Sequence, residues 1–259
     1  MTQENHIAGA YPGWLETPMG QALLGCERDQ LRQALEGVFG EHLLQIGRWG
    51  SAEGFIDLSR TQHAVTVYTA EQGVAAGVYA DFARLPFDSN SVDAVLLPHT
   101  LDMAVSPHDV LREVHRVLRS DGRLLMLGFK PFGLWGMRRL FSRGSFPSGI
   151  NHALGERTLR DWLQLLDLRV ENHQRFFFRP PFDRFATGGN EKLAHTAQRW
   201  FPELAACYLL QARKRVAAIT PIRPRWHRRA RVVGGVTKPS LRNVVKMVHA
   251  PDSEDSDNG

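Results

Sequence analysis

Apolar residues along the chain fall into two rhythms. Between residues 21 and 39, Leu23, Leu24, Leu31, Leu35 and Val38 return at helical spacing with charges between them, which predicts an amphipathic helix stopped by Gly40. Elsewhere the apolar runs are short and nearly unbroken. Leu43, Leu44 and Ile46 form one that ends at Gly47, residues 62–69 (QHAVTVYT) form a second, and Val92 to Leu97 form a third, interrupted by Asp93 and closed by Pro98. Such runs suit strands of a parallel sheet buried on both faces. After the third, Ser106 as N-cap, Pro107 at the first helical position and Asp109 three residues past the cap announce a helix. Val110, Leu111, Val114, Val117 and Leu118 give that helix its buried stripe, Asp121-Gly122 is expected to end it, and residues 123–129 read as the next strand. Together these make a βαβ unit with a right-handed crossover. Further on, residues 157–166 predict a helix with Trp162, Leu163 and Leu166 on one face, and residues 169–178 and 206–216 predict two strands. Residues 11–20, with Pro12, Gly13, Pro18 and Gly20 around Trp14 and Leu15, read as a loop with aromatic anchors. Residues 179–201 are polar and expected to be partly helical.

Composition narrows the class. A chain of 259 residues, 43% hydrophobic and 23% charged, accommodates one α/β domain of about 200 residues plus extensions. No run of about twenty apolar residues offers a membrane span. The first residues lack the basic-then-apolar order of a signal peptide, so a cytoplasmic location is expected. Cys26 and Cys207 form no CxxC pair, and the histidines show no ligand spacing, so neither a disulfide framework nor a metal site is expected. Charge is uneven. From Pro221 onward eight Lys/Arg face four acids, which leaves +1 of the net +5 to residues 1–220. The near-neutral body gives no reason to expect nucleic-acid binding, whereas the Pro- and Arg-rich tail cannot build a core and reads as disordered.

Candidate chemistry gathers after the third apolar run. Pro98, His99, Thr100 and Asp102 follow a predicted strand at the sheet edge where open α/β sheets bind ligands. His99 is a candidate general base, because an imidazole titrates near neutral pH. The chain carries no G-x-S-x-G elbow, P-loop or H-E-x-x-H, and Trp49 breaks any dinucleotide-binding G-x-G-x-x-G.

Two patterns carry a resemblance. ADFARLPF at 80–87 followed by SVDAV at 91–95, and then LREVHRVLRSDGRL at 111–124, resemble the class I S-adenosylmethionine-dependent methyltransferases in the branch called type 11. The match is clear over residues 43–129 and weaker to residue 216. It implies a doubly wound α/β fold with a mostly parallel seven-stranded sheet, Rossmann-like, closed at one edge by an antiparallel pair. The resulting division is an N-terminal helical extension (1–40), the methyltransferase-like domain (41–217) and the basic tail (218–259). It also implies S-adenosylmethionine as cofactor and methyl transfer to an unidentified acceptor. By the same resemblance, Asp81 accepts a hydrogen bond from the adenine amino group, the Phe82 amide meets a ring nitrogen, Gly47 and Gly50 let the backbone approach the cofactor, and Pro98 and His99 face the methyl group. The segment 130–141 is placed as a lid. The chain departs from the family pattern at four points. In QIGRWGS, residues 45–51, Gln45 replaces the usual acid, Trp49 stands at the second glycine and Ser51 at the third. A side chain there requires either another loop path, through Gly50 and Gly54, or weaker cofactor binding. No acid ends the second strand, where Tyr68 and Thr69 stand, and Asp57 comes too early unless the intervening helix is missing, which leaves the ribose contact unassigned. The competing reading is a catalytically degenerate binding protein with the methyltransferase fold.

The tail adds a second expectation. Arg223 to Lys246 interleaves bases with Trp226 and holds no acid, as flexible arms for RNA or another anionic partner do. Truncation after Thr220 should therefore lower RNA affinity and remove a salt slope of roughly 0.7 log units for each phosphate contacted on a single strand. Equal affinity and slope for the two forms, measured across a salt series, would make the tail a solubilising terminus.

Overall fold

A computed structural model describes residues 12–50, 54–72, 77–133, 135–136, 153–180 and 202–215. Seven strands form one sheet: β1 (His42–Ile46), β2 (His63–Tyr68), β3 (Val78–Tyr79), β4 (Val92–Pro98), β5 (Leu118–Phe129), β6 (Leu168–Phe176) and β7 (Cys207–Lys214). Their order is β3-β2-β1-β4-β5-β7-β6. β1 to β5 pair in parallel, while β7 runs antiparallel to both β5 and β6. This is the mostly parallel doubly wound sheet that the family resemblance implies, antiparallel edge included. The helices are α1 (Pro12–Leu15), α2 (Pro18–Leu35), α3 (Thr100–Met103), α4 (Pro107–Val117) and α5 (Glu156–Leu165).

The central strands are buried because both faces are covered. β4 buries every residue except Asp93, whose carboxylate has its own work at the strand's amino end. Its Oδ2 accepts the backbone N–H groups of Glu41 (2.8 Å) and His42 (2.9 Å), and its Oδ1 pairs with Arg119 at 3.0 Å. The acid inside the apolar run thus ties the start of β1 to β5. On α4, Val110, Leu111, Val114 and Val117 are fully buried, as the spacing predicts.

Three local expectations are corrected. Residues 12–20 are not a loop: α1 and α2 occupy most of them. Thr17 caps α2, its hydroxyl oxygen accepting from Gly20 N at 3.2 Å, and Pro18 takes the first turn, so the Pro and Gly signals mark a break between helices. At Gly20 a Cβ would lie 2.5 Å from the Trp14 carbonyl oxygen, which explains the glycine there. Asp121-Gly122 does not end α4. The helix stops at Val117 and β5 starts at Leu118, with Asp121 at φ +64 inside the strand. Ser106 does stand at the N-cap of α4, but its side chain makes no capping hydrogen bond.

The crossover from β1 to β2 is unusual. Parallel neighbours are ordinarily joined through an α-helix, yet the described residues here hold a single 3-10 turn, Ile56–Leu58. α2 reaches this turn from the amino-terminal side, where Arg28 pairs with Asp57. β1 lies between β2 and β4, so the chain leaves β1 in one direction and resumes at β4 in the other. That is the topological switch point, whose carboxyl edge opens a crevice for ligands. Contacts divide the chain after Ala217, and the second unit, including the stretch from Arg223 to Lys246, lies outside the described residues. So do residues 137–141 of the expected lid and residues 181–201.

Because Leu111 is wholly enclosed between α4 and the sheet, Leu111→Ala should cost about 2–5 kcal/mol of unfolding free energy. A urea midpoint unchanged from the parent would contradict this packing.

Candidate active site at the switch point

The carboxyl ends of β1 and β4 bring several expected residues together. Gly47 is buried at φ +89, its N–H bonded to Val67 O at 2.9 Å. A Cβ at Gly47 would sit 3.2 Å from Thr100 Oγ1 and 3.6 Å from the Phe82 ring, so Gly47, Phe82 and Thr100 meet at one spot. The Thr100 hydroxyl donates to the Ile46 carbonyl, and Pro98 is buried at the end of β4. Asp81 lies in an exposed turn beside this group, with Oδ1 accepting from Ala83 N at 2.9 Å. Gly50 stands farther along the loop, at φ +73, and lines a separate cleft.

Gly50 and Gly54 flank the residues of the loop after β1 that lie outside the described ones. Gly54 adopts φ +62, and a Cβ there would lie 2.1 Å from Gln45 Nε2. Gln45 itself is fully buried. Its Nε2 donates to Gly47 O at 3.1 Å and its Oε1 accepts from Phe55 N at 2.9 Å, so the amide that replaces the usual acid closes the loop on itself. Trp49 does not project into the turn that a second glycine would occupy. It is buried in the core and stacks on His99 with ring centroids 4.2 Å apart.

Behind Trp49 lies a polar group with no access to solvent. Glu27, His99 and Asp102 are exposed by no more than 1%. Glu27 Oε2 accepts from Trp49 Nε1 at 2.6 Å, and Oε1 lies 2.8 Å from His99 Nε2. On the other side of the ring, His99 Nδ1 lies 3.1 Å from Asp102 Oδ2, which also accepts from Phe129 N at 2.9 Å. A neutral imidazole has one N–H and cannot donate to two carboxylates at once. Burial alone pushes the His99 pKa down, but Glu27 and Asp102 more than offset it and raise it to about 8. Burial pushes the Asp102 carboxyl up, against the hydrogen bonds from His99 and Phe129. His99 also takes a left-handed backbone, φ 54 and ψ 13, which a non-glycine residue holds only when its surroundings enforce it. Cys207 is buried beside them, so Glu27, His99 and Cys207 offer ligand atoms within 4.8 Å of one another.

Among the described residues that directly follow β1 and β2, two buried polar atoms lack partners. Arg48 Nε, just after β1, and Thr69 Oγ1, just after β2, are buried without a hydrogen bond. Gln72 joins them, its Oε1 facing both Arg48 N and Thr69 N at 3.4 Å. Arg48 also lines a cleft of about 540 Å³ with Gly50, Gly54, Gln21 and Arg28.

Residues 37–126 match a family described as a methyltransferase domain. Over 209 residues the chain is 36% identical to the uncharacterized protein YafS of Escherichia coli strain K12, covering 80% of this chain and 82% of YafS. The chain belongs to the class I S-adenosylmethionine-dependent methyltransferases, in the type 11 branch. It is 31% identical over 131 residues to the mouse mitochondrial 2-methoxy-6-polyprenyl-1,4-benzoquinol methylase, covering 49% of this chain and 39% of that protein. A solved Thermotoga maritima structure, an S-adenosylmethionine-dependent methyltransferase described as a possible histamine N-methyltransferase, shares the fold with a TM-score of 0.54. That pair is 16% identical and covers 74% of this chain and 89% of the other. The family match favours an enzyme over the degenerate binding protein.

In this methyltransferase Glu27, Arg48 and Gln72 lie at the same edge but outside both sequence patterns of the family. Glu27 had a visible signal: it sits four residues from both Leu23 and Leu31, on the stripe that α2 buries. Arg48 and Gln72 had none beyond following predicted strands. Because His99 holds its proton more tightly folded than unfolded, its contribution is complete below pH 6.5 and lost as pH rises through about 8. That rise is worth on the order of 2 kcal/mol. Urea unfolding should show this loss on the alkaline side, and His99→Gln should flatten it. A stability profile with the same alkaline slope in both proteins would place the titration elsewhere.

Proposed function

We propose that the chain binds S-adenosylmethionine across the carboxyl ends of β1, β2 and β4 and transfers its methyl group to an acceptor still to be identified. The observation that carries this reading is the pair of buried, unpartnered polar atoms, Arg48 Nε and Thr69 Oγ1, beside a strand-end glycine. Buried polar atoms without partners are uncommon and costly, so a polar ligand suits this edge. Asp81 and Phe82 serve the adenine end. Thr69 and Gln72 take the ribose hydroxyls in place of the missing acid. Gly47 gives the backbone close approach. Arg48, with Gly50 at the mouth of the cleft, meets the cofactor's carboxylate. The cofactor supplies a sulfonium-bound methyl group, an electrophile for which positioning provides much of the rate.

The protein's part is therefore orientation and exclusion of water. Pro98 and Thr100, both buried, form the floor beneath the methyl-bearing end. His99 was the candidate base, but its two ring nitrogens face Glu27 and Asp102 inside the core. We assign it to holding the floor in place rather than to proton removal. Among the described residues no helix is long and apolar enough to cross a membrane.

Calorimetric titration with S-adenosylmethionine and S-adenosylhomocysteine tests the reading. Asp81→Ala and Arg48→Ala should each weaken binding by about 1–3 kcal/mol, the scale of an unpaired polar partner. Failure of both ligands to bind the parent at millimolar concentration would favour the binding-protein alternative, and an unchanged affinity in Asp81→Ala would place the adenine elsewhere.

A further inference from the structure

We infer that Glu27 is a positioning residue for this site: from α2, one carboxylate clamps Trp49 of the loop after β1 and His99 of the turn after β4. The inference rests on the placement of the cofactor at that edge. Its ground is geometric. The two oxygens of Glu27 divide between the indole N–H at 2.6 Å and the imidazole at 2.8 Å. Both partners adjoin residues assigned to the cofactor. Trp49 lies between Arg48 and Gly50, and His99 lies between Pro98 and Thr100.

A buried carboxylate on the apolar stripe of a helix is costly unless it is paired. Here the pairing groups lie on the two site segments, so docking of α2 and the loop geometry stabilise one another. Trp49 lies inward, where its N–H finds this acceptor. Moving Glu27 therefore moves Arg48 and Pro98 without touching either.

The clamp also holds a proton. The groups facing His99 are Glu27 from α2, Asp102 from α3 and the Cys207 thiol from β7, whose own ionisation burial suppresses. With carboxylates at both positions 27 and 102, both ring nitrogens must carry a proton to donate to them. A glutamine there would accept from Trp49 through its oxygen and donate to His99 Nε2 through its nitrogen, which requires the neutral ring. Glu27→Gln thus reverses the protonation state that the clamp prefers.

The experiment is calorimetric titration of S-adenosylhomocysteine into the parent and into Glu27→Gln, from below pH 6.5 to above pH 8. Taking the ratio of the two affinities cancels the ligand's own ionisation. The parent should bind about tenfold more tightly at the acid end, the scale of one lost charge-assisted hydrogen bond. The advantage should shrink steadily as pH rises through about 8. A ratio of one throughout, or a ratio independent of pH, would overturn the inference. If Glu27→Gln does not fold, Trp49→Phe keeps an aromatic ring in place but removes the indole donor. Its affinity should also fall about tenfold, and parental affinity would overturn the inference. A parent that binds no S-adenosylhomocysteine removes the reading beneath it, a result distinct from parental behaviour in the variant.

Discussion

An imidazole between two buried carboxylates is the arrangement on which the site's geometry depends. Each carboxylate taken out of water carries a desolvation cost that a single contact does not repay. The protein offsets it by converging donors: the Trp49 indole and the His99 ring on Glu27, and the Phe129 amide and the same ring on Asp102. These donors come from the loop after β1, the turn after β4 and the end of β5, and the accepting carboxylates from α2 and α3. None of these segments can shift alone without breaking a hydrogen bond to a buried carboxylate. The left-handed backbone at His99 is held by that mutual constraint.

The same constraint explains how a methyltransferase sheet functions around an altered loop. Family members shape the turn after the first strand with glycines. Here Gln45 closes it from within, Gly54 makes room for the Gln45 amide, and Trp49 is drawn into the core. The crossover to β2 has also lost its usual helix among the described residues, and α2 packs against the 3-10 turn that remains. The amino-terminal helix is therefore part of the site's construction rather than an appendage. Its Glu27 reaches the switch point, its Arg28 holds the crossover turn through Asp57, and its outer face walls the cleft beside Arg48.

Charge is segregated along the sheet. At the amino end of β4 and β1, Asp93, Arg119 and Glu41 make a partly exposed network that ties strand ends together. Pairs of that kind are worth little individually and are screened by salt. At the carboxyl end Glu27, His99 and Asp102 are enclosed and hydrogen-bonded to one another or to neighbouring donors. The contrast follows from solvent access, and it places the chemically consequential groups at the edge where the chain reverses direction.

Much of the fold was legible because strand burial and helix amphipathicity write directly into the order of residues. The runs at Leu43–Ile46 and Val92–Leu97 gave the parallel centre, the stripe from Val110 to Val117 gave α4, and ADFARLPF with LREVHRVLRSDGRL gave the family. Local signals misled where backbone competition decides: Pro and Gly near Trp14 mark a helix break rather than a loop, and Asp121-Gly122 lies inside β5. Of the residues proposed for the site, Gly47 and Phe82 stand in short-range motifs. Glu27 does not: it is 72 residues from His99 and meets it only because α2 folds over the sheet edge. Nor could His99 be told from an exposed base. Sequence specifies which groups can ionise, whereas their protons are placed by burial and by the charges that tertiary packing brings within hydrogen-bonding distance.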